Sequence, residues 1–188
     1  MTNSPDSLHH FLFEDQLNRP MPIRGNLVHL NQTFTLAMQH QSLPLVLKIA
    51  LGELMAASAL LSATLKMDGA LVLQLQSKGA LKLLVVECSH DLNMRATAKW
   101  DISKWDESLT DEMGNYNFID LVKYGQFVIT LDPAIGEAYQ GIVPIEGTTI
   151  AEMLQNYMLR SQQIDTSLWL HCDWHENYLI NNYLILAS

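Results

Sequence analysis

A chain of 188 residues, 48% hydrophobic and 16% charged, has the size of one globular domain and can bury a core without metal or disulfide staples. Its net charge of −9, with eleven Lys and Arg in all, argues against a nucleic-acid footprint or an anionic lipid surface, since both need clustered cations.

In chain order, DSLHHFLFED reads as a short element packing Leu8, Phe11 and Leu12, and Pro20 and Pro22 punctuate the chain before the extended IRGNLVHL. NQTFTLAMQHQ reads as a short helix with Asn31 or Thr33 as N-cap. Pro44 fits the first turn of a long helix over Leu45–Leu65. That run matches a membrane span in length, but Lys48, Gly52 and Glu53 interrupt it and strand-like sequence follows, so it reads as a helix buried in a protein core. MDGALVLQLQSKGALKLLVVE places two apolar runs around a Ser77-Lys78-Gly79 turn, the pattern of a β-hairpin, with Leu71, Leu73 and Leu75 on one face and Val72, Gln74 and Gln76 on the other.

MRATAKW alternates Met94, Ala96, Ala98 and Trp100 with Arg95, Thr97 and Lys99, as a strand with one wet face does. Asp101 to Asp120 holds six acids against Lys104 alone and reads as a solvated loop with one helical turn. QFVITLD, YQGIVPI, TSLWLHC and YLINNYLIL supply further strands. Between them, Thr149 and Glu152 form a TxxE capping box, and Ile150, Met153, Leu154, Tyr157 and Met158 recur at helical spacing; Gly147 allows the sharp turn that precedes the cap. The order of helices and mostly antiparallel strands is that of an α+β fold, and neither a repeat nor a low-complexity linker divides it.

Catalytic motifs are absent: GxxxxGK[ST], GxGxxG after a strand, GxSxG and HExxH do not occur. The opening MTNSPDSLHHFLFEDQ lacks the basic flank and apolar run of a secretory signal, which points to the cytoplasm. Cys88 and Cys172 stand far apart, outside CxxC or zinc-type spacing, and read as reduced core thiols. HCDWHE gathers His171, Asp173 and His175, but polar residues collect in hairpin loops without any metal, so no metal is assigned there. His9 and His10 are adjacent and point apart on any regular element. Glu53 reads as a partly exposed carboxylate or one paired with Lys48 or Lys66, in preference to a buried acid. The nine methionines read mostly as core, and Arg95, Lys99 and Trp100 as a wet strand face. No enzymatic activity is assigned.

What remains is a surplus of strands apolar on both sides. In ALKLLVVE, Leu81, Leu83 and Val85 point one way and Leu84 and Val86 the other; Trp169 lies opposite Leu168 and Leu170, and Tyr178 and Ile180 opposite Leu179. Few helices cannot cover so much sheet, so part of this surface is expected to meet a partner, another copy or a further part of the chain; the alternative is a sandwich core.

ELMAASALLSATLKMDGALVLQLQSKGALKLLVV and YQGIVPIEGTTIAEMLQNYMLRSQQIDTSLWL closely resemble the N-terminal domain of the bacterial redox-regulated holdase family, heat shock protein 33. The likeness runs from about Leu8 to the last residues and is weakest over Asp101–Asp120 and Leu17–Pro22. It implies a cytoplasmic chaperone that holds unfolding proteins under heat and oxidative stress without ATP, through an apolar sheet surface. It also implies a linker covering that surface and a four-cysteine zinc module, in which oxidation releases zinc and favours dimers. Residues 1–188 read as the chaperone core domain alone: no CxC or CxxC is present, no cofactor is expected in it, and neither Cys88 nor Cys172 is carried over as a sensor. MRATAKW also departs from the family, which usually has glycine after the arginine, so Arg95 receives no role. Alternation nominates Val72, Leu84, Val86, Phe127, Ile129 and Trp169 as client-binding residues on the less covered sheet face. The rival reading is a dimerisation module whose apolar face is buried against a second copy.

Overall fold

The apolar run from the middle of the sequence becomes the axis of the molecule. In the computed structural model, which describes residues 5–65, 68–105, 118–122, 124–175, 178–180 and 182–187, helix α2 (Leu45–Thr64) starts at Pro44 and ends where Leu65 turns extended. Leu47, Leu51, Leu54, Met55 and Leu60 are fully enclosed. Its length and composition would suit a membrane span, yet 67% of its most apolar window is buried within the fold. Apolar residues on every side are what a helix packed between layers requires. The hydroxyls this brings inside are satisfied along the helix, Ser58 donating to the Leu54 carbonyl at 2.8 Å and Thr64 to that of Leu60 at 2.9 Å. Gly52 leaves space for Phe34 and Cys172: a Cβ there would stand 2.6 Å from the Cys172 sulfur.

Two main sheets enclose α2, and all their pairings are antiparallel. One contains β1 (Ser7–Glu14), β2 (Pro20–His29), β8 (Thr166–Trp169) and β11 (Asn182–Ala187) in the order β1-β2-β11-β8. The other contains β3 (Gly69–Gln76), β4 (Leu81–Ser89), β5 (Met94–Trp100), β6 (Gln126–Pro133) and β7 (Tyr139–Pro144) in the order β5-β4-β3-β6-β7. A ribbon of β9 (Asp173–His175) and β10 (Tyr178–Ile180) stands apart. Helices α1 (Gln32–Met38), α3 (Phe118–Leu121) and α4 (Ile150–Gln162) complete the α+β architecture. YLINNYLIL thus serves two sheets. Of the acidic stretch, a 3-10 turn at Ile102–Lys104 and α3 are described, and residues 106–117 lie outside the described residues.

Local signals account for most boundaries. Thr149 accepts a hydrogen bond from the Glu152 amide at 3.2 Å, as the capping box requires. The reciprocal arm differs: Glu152 accepts from the Thr148 amide and hydroxyl, at 2.6 and 3.0 Å. Gly147 holds φ +113, a conformation costly for other residues.

Other elements depart from expectation. DSLHHFLFED is an edge strand, with Leu8 turned to the core and Leu12 72% exposed. Asn31 holds the N-cap position of α1 as expected but its side chain makes no capping bond; the Asp6 carboxylate accepts instead from the amides of Asn31, Gln32 and Thr33 and from the Thr33 hydroxyl, all within 2.8 Å. Burial pushes the Asp6 pKa up, but these hydrogen bonds outweigh it and hold the group below its ordinary value. Asp6→Ala is therefore expected to lower stability by about 1–2 kcal/mol at neutral pH. Because the folded-state pKa is depressed, that contribution is present above the ordinary aspartate range and fades as pH falls through the folded value. Urea melts of the two proteins should converge in acid.

Candidate functional site

Register decides which side of each strand meets α2. In the five-stranded sheet, Ala96, Val86, Leu73, Ile129 and Gly141 form one cross-strand row, and Ala98, Leu84, Leu75, Phe127 and Val143 another. Leu73, Leu75, Leu84 and Val86 are wholly inaccessible, Phe127 is likewise enclosed and Ile129 nearly so. This is the inner face, against which α2 packs.

On the opposite face three rows cross all five strands: Arg95–Glu87–Val72–Thr130–Gln140, Thr97–Val85–Gln74–Val128–Ile142, and Lys99–Leu83–Gln76–Gln126–Pro144. Val72, Leu83 and Val85 are half-buried, Ile142 is 56% exposed, and Val128 is buried. The result is an apolar centre with glutamines in and beside it, Glu87 next to Val72, and Arg95 and Lys99 along the β5 margin.

The six nominated residues do not share a face. Leu84, Val86, Phe127 and Ile129 belong to the covered core, Val72 to the outer face, and Trp169 to the other sheet. The error is one of register in a two-sided strand. A bulge between Leu81 and Leu83 turns Leu81 inward with Leu84 and Val86, breaking the alternation assumed through ALKLLVVE. The hairpin held the corrective signal. Pairing across Ser77–Gly79 sets Leu75 opposite Leu84, which places Leu84 with the all-leucine face and leaves Val85 beside Gln74. Val85, which shares the outer face with Val72, was not nominated for this reason.

A second apolar surface lies on the four-stranded sheet. Trp169 is 53% exposed, Leu27 39%, and both align with position 184 of β11. Beside them Phe11 and Phe13 make an edge-to-face pair with centroids 5.6 Å apart.

Titratable groups near α2 are shifted by burial. Glu53 is part-buried, as expected of a partly exposed carboxylate, yet burial pushes its pKa up to about 7, with His171 opposing; Lys66 lies outside the described residues. Burial pushes the Cys88 thiol up to about 11, against a hydrogen bond from Ser62, and Cys172 is buried beside Gly52. Among the described residues no His, Cys, Asp and Glu side chains gather as a metal site needs; the side chains of Asp173 and His175 lie outside them.

The Hsp33 protein family model matches residues 6–184. Proteins described as 33 kDa chaperonin are 57% identical over 170 residues in Methylobacillus flagellatus, 44% over 170 in Chromobacterium violaceum and 38% over 171 in Vibrio cholerae. The alignments cover 89–90% of this chain and 53–54% of those proteins. The crystal structure of the 33 kDa chaperonin (heat shock protein 33 homolog) of Thermotoga maritima superposes with TM-score 0.81 at 16% identity, covering 96% of this chain and 60% of that one. The chain belongs to the Hsp33 family, a family of chaperones, and spans about half the length of the relatives it matches.

Proposed function

We propose that the chain is the client-holding domain of an ATP-independent chaperone, acting in the cytoplasm on unfolding polypeptides through the outer face of its five-stranded sheet. The observation that carries this is the apolar centre of that face, where Val72, Leu83 and Val85 are half-buried and Ile142 is exposed, on a molecule of net charge −9. Apolar area of this kind on a sheet face is a protein-binding feature, and the charge keeps such a surface from self-association by repulsion. The lack of nucleotide-binding motifs supports action without ATP. Redox control would belong to the longer family proteins, through a zinc-binding cysteine module.

Light scattering of a heat-unfolding enzyme tests the reading. Val85→Glu with Ile142→Glu should raise the concentration needed for protection about tenfold while the variant still melts cooperatively; unchanged protection would refute the assignment.

A homodimer is the second reading, favoured by Trp169 and Leu27 on the other sheet. Trp169→Glu should then change the sedimentation behaviour and leave client protection intact.

For this chain alone, protection should be equal in reductant and in peroxide. The thiolate is the reactive form, and at neutral pH a thiol titrating near 11 is ionised in roughly one molecule in ten thousand. A large gain on oxidation would show that Cys88 or Cys172 acts as a sensor.

A further inference from the structure

We propose that Gln74, Gln76 and Gln126 make the outer face read the client's peptide backbone, so that it takes extended, uncharged segments in preference to collapsed apolar ones; this rests on the outer face being the client surface. The three amides form a relay. Gln126 donates to the Gln76 carbonyl oxygen at 3.1 Å, and Gln76 donates to that of Gln74 at 2.9 Å. Each primary amide offers two N–H groups and two lone pairs, and each link uses one of each, so either sense of the relay leaves donors and acceptors to spare.

Position gives the relay its consequence. Gln74 stands between Val85 and Val128, in the middle of the apolar rows. Anything that covers Val85 and Ile142 also strips water from this amide, which is unfavourable unless the occupant supplies hydrogen-bond partners. An extended backbone supplies them whatever its side chains. Gln74 and Gln76 are two residues apart on one strand, about 6.8 Å, which is also the repeat of same-side backbone groups in an extended chain. Charge points the same way. The central positions Gln74, Gln76 and Val85 carry none, and the nearest charges, Glu87 beside Val72 and Lys99 beside Leu83, lie to one side, so a charged segment would be desolvated at the centre without a counter-charge.

The test uses the full chain and two ten-residue peptides of identical Val, Leu and Ser side chains, one N-methylated at alternate residues. Fluorescence anisotropy should show the unmethylated peptide binding about tenfold more tightly, the effect of losing one or two hydrogen bonds. Gln74→Met with Gln76→Met keeps volume and removes the amides; it should shrink the difference to under twofold and leave binding of an apolar dye at least as strong. Equal binding of both peptides by the wild type, with both lost in Val85→Glu, would overturn the backbone reading and keep the client surface. Unaltered peptide and dye binding by Val85→Glu would overturn the client surface itself.

Discussion

Val86→Glu is expected to abolish the cooperative thermal transition, whereas the same change one residue earlier, at Val85, should leave it in place. Val86 is wholly buried on the inner row between Leu73 and Ala96, under α2. An unpaired carboxylate there costs several kcal/mol, a large part of the roughly 5–15 kcal/mol that holds a domain together. Val85 lies on the outer row beside Gln74 and Thr97, where a carboxylate reaches water. Its glutamate variant should stay within about 1 kcal/mol of the parent and lose dye binding instead. Leu154, 1% exposed on α4, should behave like Val86. Far-UV circular dichroism melts decide the matter: a normal melt for Val86→Glu beside an unfolded Val85→Glu would mean the sheet faces the other way.

The second large effect is at Glu53. Its folded-state pKa is raised to about 7 from the ordinary 4.5. The folded protein therefore holds this proton more tightly than the unfolded chain does. Stability falls as pH rises from about 4.5 to 7 and levels off above, the reverse of the Asp6 effect. Glu53→Gln removes the titration. It should be more stable than the parent at pH 8 by up to about 3 kcal/mol, or roughly 6–12 °C in Tm, and equal to it near pH 4. A Glu53→Gln protein less stable at pH 8 would mean that the carboxylate is paired and not merely buried.

Sequence reading succeeded where the signal is local and failed where it depends on distant chain. The Thr149–Glu152 cap, the buried α2 and the alternation of MRATAKW are each set by neighbouring residues, and the structure has all three. The N-cap position of α1 is Asn31, as its pattern indicates, but the side chain that bonds the free amides is Asp6, twenty-five residues upstream and beyond any helix-start pattern. Which face of β4 is wet was unreadable from ALKLLVVE alone, because both sides are apolar and a bulge resets the period. That Trp169 lies in a different sheet from Val72 is a fact of topology, set by pairing with residues 184 and 185 of β11.

The same topology bears on synthesis. β2 pairs on one side with β1, just upstream, and on the other with β11, so that His29 waits for Asn182. At ribosomal speeds of about 5–20 residues per second, that wait lasts roughly 8–30 s. Through it the nascent chain displays an unpaired strand edge carrying Leu27 and Val28, an open template for wrong pairing. During its own birth the chain is thus in the condition of the polypeptides it is proposed to hold.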